Sequence, residues 1–180
     1  MTTTTYVAML RGINVSGRNR LPMESLRSLV TAAGGEEVRT YIQSGNAVFR
    51  SRAKVSGIVA FLEDALVDLL GTKVPVLVRS KSELGAVITT NPFVRRGVEA
   101  TTLHVTFLAE VPSPADVKAA QAKAVDADEF LVVGRDVFLR CPDGYGKTKL
   151  TNTFFEKKLG SDTTTRNWKT VNTLAEMARR

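Results

Sequence analysis

The sequence predicts an α+β protein made of two tandem ferredoxin-like halves, each a βαββαβ unit with an antiparallel sheet. Short apolar runs and runs of helical period alternate as strand, helix, hairpin, helix, strand, and that order then comes round again. The punctuation repeats too. Hairpin turns at Gly45 and Gly134 lie 89 positions apart, and the capping-box pairs Ser80/Glu83 and Thr173/Glu176 lie 93 apart. An internal repeat explains both spacings economically. One continuous mixed sheet shared by the halves is the alternative pairing. The halves are expected at 1–97, which ends in a connector, and 98–180.

In the first half, a strand is expected over 6–13. Pro22 suits the first turn of a helix, where its missing N–H has no partner to lose. Met23, Leu26, Leu29, Val30 and Ala33 recur at helical spacing, and Gly34-Gly35 stops the run. Strands over 38–43 and 47–50 flank Ser44-Gly45-Asn46, a turn chemistry that supplies positive φ angles. A helix over 55–70 gathers Ile58, Leu62, Ala65, Leu66 and Leu69 on one face, with Glu63, Asp64 and Asp68 largely on the other. Pro75 argues that the strand over 74–79 lies at an edge or starts there. Ser80 and Glu83 begin a short helix reaching residue 89, and 91–97 reads as the connector.

The second half follows suit. A strand over 101–111 precedes a helix begun by Ser113, Pro114 and Asp116 and thinned by Ala119, Ala120 and Ala124. Strands over 130–133 and 137–140 flank Gly134-Arg135-Asp136. A helix over 150–159 stops at Gly160, a strand covers 164–170, and Thr173 with Glu176 opens the last helix.

Composition narrows the class of protein. A 43% hydrophobic and 24% charged chain of 180 residues is that of a globular domain rather than a disordered one. No apolar run approaches the roughly 20 residues that span a bilayer, so no membrane partner is expected. Met1 and its four following threonines lack the basic start and apolar centre of a signal peptide. A lone cysteine, Cys141, excludes an internal disulfide and makes a reducing cytoplasm the simplest location. Charge is uneven: residues 1–97 carry net +6, 98–136 net −4 and 137–180 net +5. The basic regions favour a polyanion; a basic surface that serves solubility is the plainer reading.

Three stretches invite chemistry. Between Leu10 and Leu21 a loop holds Gly12 and Gly17, Asn14 and Asn19, and Arg11, Arg18 and Arg20, with no acidic residue. Its glycines free the backbone and its arginines offer forked donors for phosphate or carboxylate. A tight strand-to-helix connection with solvated arginines fits the same residues. Gly146-Lys147-Thr148 is no nucleotide P-loop, because Cys141 stands where that motif needs a glycine. The 144–149 segment remains a basic loop at a helix N-terminus, with Lys147 and Lys149 able to meet an anion or simply be solvated. In 163–169, Trp168 could stack on a base while Arg166 holds a phosphate, or its ring could belong to the core of a strand.

Other chemistries find little support. His104 is the only histidine and lies in an apolar strand, and no His/Cys cluster suits zinc. Cys141 has no histidine at a motif spacing, and Asp64 and Asp68 face solvent. No metal, cofactor or catalytic residue is therefore assigned.

Four motifs occur in order: Leu10-Arg11-Gly12-Ile13-Asn14-Val15, Tyr41-Ile42-Gln43-Ser44-Gly45-Asn46, Lys149-Leu150-Thr151-Asn152 and Thr165-Arg166-Asn167-Trp168-Lys169-Thr170. With them the chain resembles, over nearly its whole length, the bacterial domain-of-unknown-function family numbered 1697. Ser16 departs from it, standing where the family commonly has a second glycine. The resemblance implies a bacterial cytosolic protein and leaves activity open.

The leading expectation, drawn from the residues, is a binder of a phosphate-bearing ligand, a nucleotide or RNA, through basic Gly/Asn loops. Arg11, Asn14, Lys147, Lys149 and Arg166 are its candidate anion contacts and Trp168 its candidate stacking surface. The alternatives are an enzyme acting on a phosphorylated small molecule at these loops, and a protein–protein module whose acidic 98–136 segment sets partner choice or self-association.

Overall fold

Short continuous apolar runs and well-placed turn formers give the first half its sheet. The computed structural model describes residues 2–123 and 127–180. Its first half runs β1 (Thr4–Leu10), α1 (Met23–Ala32), β2 (Glu36–Thr40), β3 (Asn46–Ser51), α2 (Val55–Leu70), β4 (Val76–Ser80) and α3 (Lys81–Thr90). The strands pair antiparallel in the order β2-β3-β1-β4. This is the ferredoxin-like arrangement, with β3 inserted between β1 and β2. β4 does occupy an edge, consistent with Pro75 just before it. Its first amide, Val76 N–H, donates to the Glu63 carboxylate of α2 at 3.0 Å.

One face of this sheet, through Ala8, Leu10, Ala47, Phe49, Val76 and Val78, packs against Leu26 and Val30 of α1 and Ile58, Leu62 and Leu66 of α2. Val7, Met9, Val48 and Leu77, which point the other way, are buried as well. The strands are therefore apolar at successive positions rather than strictly alternating.

The second half runs α4 (Pro92–Arg95), β5 (Leu103–Leu108), α5 (Pro114–Gln121), β6 (Glu129–Val133), β7 (Asp136–Arg140), α6 (Asn152–Leu159), β8 (Thr163–Asn167) and α7 (Trp168–Arg179). Its sheet, in the order β6-β7-β5-β8, repeats the first and is antiparallel throughout. Phe130, Leu139, Leu150 and Phe155 lie at its core, and Phe154 packs against them. The rings of Phe130, Phe154 and Phe155 meet edge to face. Two separate four-stranded sheets replace the alternative of one continuous sheet. The chain divides into two compact units, Met1–Ala86 with Thr173–Arg180, and Val87–Asn172. Among the described residues no helix is long and apolar enough to cross a membrane.

Several boundaries differ from expectation, each for a local reason. β1 stops at Leu10 rather than 13, since Gly12 and Asn14 take φ of 67° and 56° and leave the extended region. Asn46 is the first residue of β3, and the left-handed turn positions are Ile42 and Gly45, at φ 49° and 80°. Pro22 is the N-cap of α1 instead of lying within it. Leu69 is 55% exposed, near the end of α2. A four-residue helix, α4, occupies the connector. β5 is shorter than 101–111 because Ala100–Thr102 form a 3₁₀ turn. Ala124 lies outside the described residues.

The last strand ends at Asn167, and Trp168 opens α7. Asn167 Oδ1 accepts from Thr170 N–H at 2.8 Å, so Asn167 caps the helix, while Thr173 and Glu176 lie inside it. The counterpart of Ser80 is thus Asn167, 87 positions on, rather than Thr173.

Candidate functional site

Two loops meet at one end of the first sheet, and their residues are those of the first two motifs. After β1 the chain passes through left-handed conformations at Gly12, Asn14, Ser16, Gly17 and Asn19. Asparagine tolerates this better than most residues, which explains the loop's Gly/Asn composition. Asn14 then works as a clamp. Its Nδ2 donates to Leu21 O at 2.9 Å and Gln43 O at 2.7 Å, while its Oδ1 accepts from Leu21 N–H at 2.8 Å. Asn19 Nδ2 donates to Gly12 O, and Val15 bridges Arg18 across the loop.

The second loop is pressed against the first. Leu10 N–H donates to Gly45 O at 2.9 Å. A Cβ at Gly45 would lie 2.9 Å from Leu10 Cβ and 3.2 Å from Ile13 Cβ, so only glycine fits there. Buried Asn46 donates to Tyr41 O and Ser44 Oγ, closing the turn from within.

The fastened loops frame an open hollow of about 350 Å³ lined by Asn14, Gly17, Arg20, Leu21, Pro22 and Gln43. Arg18 and Arg20 are exposed and Arg11 is half-buried. Neither 2–23 nor 38–62 contains an acidic residue; the positive charge comes from the first loop, and the second loop contributes polar and apolar groups. The lining has no carboxylate, imidazole, thiol or hydroxyl side chain.

The second unit holds the other candidates. Lys147 and Lys149 are exposed, on and just after a 3₁₀ turn, Tyr145–Lys147. That loop is anchored by Thr148, which donates to Asp128 and accepts from Leu150 N–H. The next motif is spent on α6: Leu150 is buried, Thr151 caps Phe154 N–H, and Asn152 Oδ1 accepts from Thr163 and Thr165. Arg166 is only 8% exposed and donates to Thr164 Oγ1 at 2.7 Å and Thr165 O at 2.9 Å. Burial pushes its guanidinium down to about 10, with Tyr145 acting in the opposite sense. Trp168 is equally buried, a helix-start ring rather than a strand residue.

One contact in this unit is invisible in the spacing of the sequence. The His104 ring stacks on Tyr145, with centroids 4.8 Å apart. Burial lowers the imidazole below its ordinary value of 6.5, opposed by a backbone hydrogen bond with Thr102. Among the described residues no group of histidine, cysteine and carboxylate side chains could hold a metal ion.

The structure thus brings Gln43 of the second loop beside Asn14, Gly17 and Arg20 of the first, a partner that no sequence spacing indicates, while Arg11 lies outside the lining of the hollow. The usable signal was the matched absence of acids around both loops.

Fold and site together define a tandem ferredoxin-like protein with a basic double loop at the end of its first sheet. The chain belongs to the family described as "Protein of unknown function (DUF1697)", whose model matches residues 3–138. That span contains the first two motifs; the other two lie beyond it. The chain is similar in fold to a solved structure, the conserved bacterial protein SP0830 from Streptococcus pneumoniae. The match has a TM-score of 0.81 and 23% identity, covering 99% of this chain and 100% of that one. Among curated proteins, none matches the chain.

Proposed function

We propose that the double loop of the first unit binds a phosphate-bearing ligand, a nucleotide or RNA, in a cytosolic protein. The observation that carries this reading is the hollow lined by Arg20, Asn14 and Gln43, with no acidic side chain in its lining. Arg11, Arg18 and Arg20 are its phosphate donors, and Asn14 holds the two loops in register. Lys147 and Lys149 form a second basic loop open to the same class of ligand. Arg166 and Trp168, both nearly buried, brace the junction of β8 and α7. Binding is favoured over catalysis because no lining side chain is suited to proton transfer or nucleophilic attack.

The test is equilibrium binding of a short single-stranded RNA and of ATP, to the wild type and to Arg20→Ala. RNA binding at low salt that weakens in Arg20→Ala is the expected result. No binding of either ligand, or binding untouched by the substitution, overturns the proposal.

A further inference from the structure

We infer that Ile42 and Gln43 form a ledge for a nucleobase, so the ligand of the double loop is single-stranded nucleic acid. This inference rests on the anion-site reading and adds the non-phosphate half of the ligand.

Ile42 holds φ 49°, in the left-handed region where a β-branched residue is strained and glycine or asparagine is not. Core packing is no compensation, because Ile42 is 48% exposed. The conformation is enforced from both sides. Asn14 Nδ2 fixes Gln43 O at 2.7 Å, Asn46 Nδ2 fixes Tyr41 O at 3.2 Å, and Tyr41 N–H donates to Asn46 O at 3.1 Å. What the strain accomplishes is the display of a branched apolar side chain one position before a residue of the hollow.

Val15, one position after Asn14, is likewise 56% exposed. Leu21 and Pro22 give the hollow an apolar part, Gln43 a carboxamide that both donates and accepts, and Arg20 a cation. The matching ligand has a flat apolar ring, a hydrogen-bonding edge and a phosphate. An unpaired base of a single strand exposes all of these together, whereas a base-paired duplex hides its ring face and its pairing edge. An anionic membrane would use the apolar tips and the arginines, but it would leave a concave, carboxamide-lined hollow without a purpose.

Ile42→Gly tests the ledge without endangering the fold, since glycine accepts the left-handed conformation. The probes are a labelled single-stranded RNA of about ten nucleotides, inorganic polyphosphate, and vesicles containing phosphatidylglycerol. The expected result is a loss of RNA affinity of about fivefold, the scale of unburying one or two methylene groups. Polyphosphate affinity should be unchanged, and the thermal midpoint should hold or rise. Unchanged RNA affinity in Ile42→Gly overturns the ledge but leaves the anion site standing. Failure of both RNA and polyphosphate to bind the wild type overturns both readings. Vesicle binding lost in Ile42→Gly, without RNA binding, overturns the nucleic-acid assignment.

Discussion

At position 14 one carboxamide makes three hydrogen bonds to backbone groups of two different segments. Removing it leaves Leu21 N–H and two carbonyls to find other partners. Asn14→Ala should cost roughly 2 kcal/mol on the scale of unsatisfied, partly buried polar groups. The check is a lower urea midpoint at constant slope. The sequence showed that Asn14 sat in a Gly/Asn loop, but its partner Gln43 is 29 residues away, and no spacing rule reaches it. Cys141, which the sequence marks only as a lone thiol, is fully buried. Burial pushes its thiol up to about 11, with Asp128 adding to the shift and a hydrogen bond with Thr148 opposing it. The fold therefore favours the neutral thiol. That contribution is complete below the ordinary value of 9.0 and is lost as pH rises through about 11. The stability gap between wild type and Cys141→Ala should shrink by about 2 kcal/mol across that window. Urea titrations of both proteins at pH 8 and pH 11 measure it.

Elements were more legible than their ends. α2 fell on its expected 55–70 because Gly71 takes φ 69° and stops it, and Gly is the residue that does so readily. The β8–α7 junction was misread because Thr164, Thr165 and Trp168 all favour strands, and nothing in the composition marks where extension ends. The deciding contact is a single cap, Asn167 Oδ1 accepting from Thr170 N–H, reinforced by Asn172 donating to Trp168 O. The equivalent junction at Ser80 was visible because its box is reciprocal: Ser80 Oγ accepts from Glu83 N–H, and the Glu83 carboxylate accepts from Ser80 N–H. Asn167→Ala should destabilise the protein by about 1 kcal/mol, while Asn167→Asp should retain most of the cap. Thermal unfolding of the two variants distinguishes a capping role from general packing, which both substitutions would disturb.

Across the whole molecule the positive charge is not shared evenly. The unit formed by residues 1–86 and 173–180 has 13 Lys/Arg against 8 Asp/Glu, a net +5. Residues 87–172 have 12 against 10, a net +2. The first unit also contains the hollow, so its arginines should dominate phosphate contacts. For single-stranded nucleic acid each neutralised phosphate contributes about −0.7 to the slope of log affinity against log salt. Contacts from Arg11, Arg18 and Arg20 then predict a slope of roughly −2. Replacing exposed Arg18 and Arg20 together by alanine should flatten it by about 1.4. The paired change Lys147→Ala with Lys149→Ala should alter it much less. RNA titrations at several salt concentrations measure all three slopes on the intact chain. Equal flattening by the two pairs would give the 144–149 loop an equal share of the ligand, and a slope near zero in the wild type would leave the basic residues a solubility role alone.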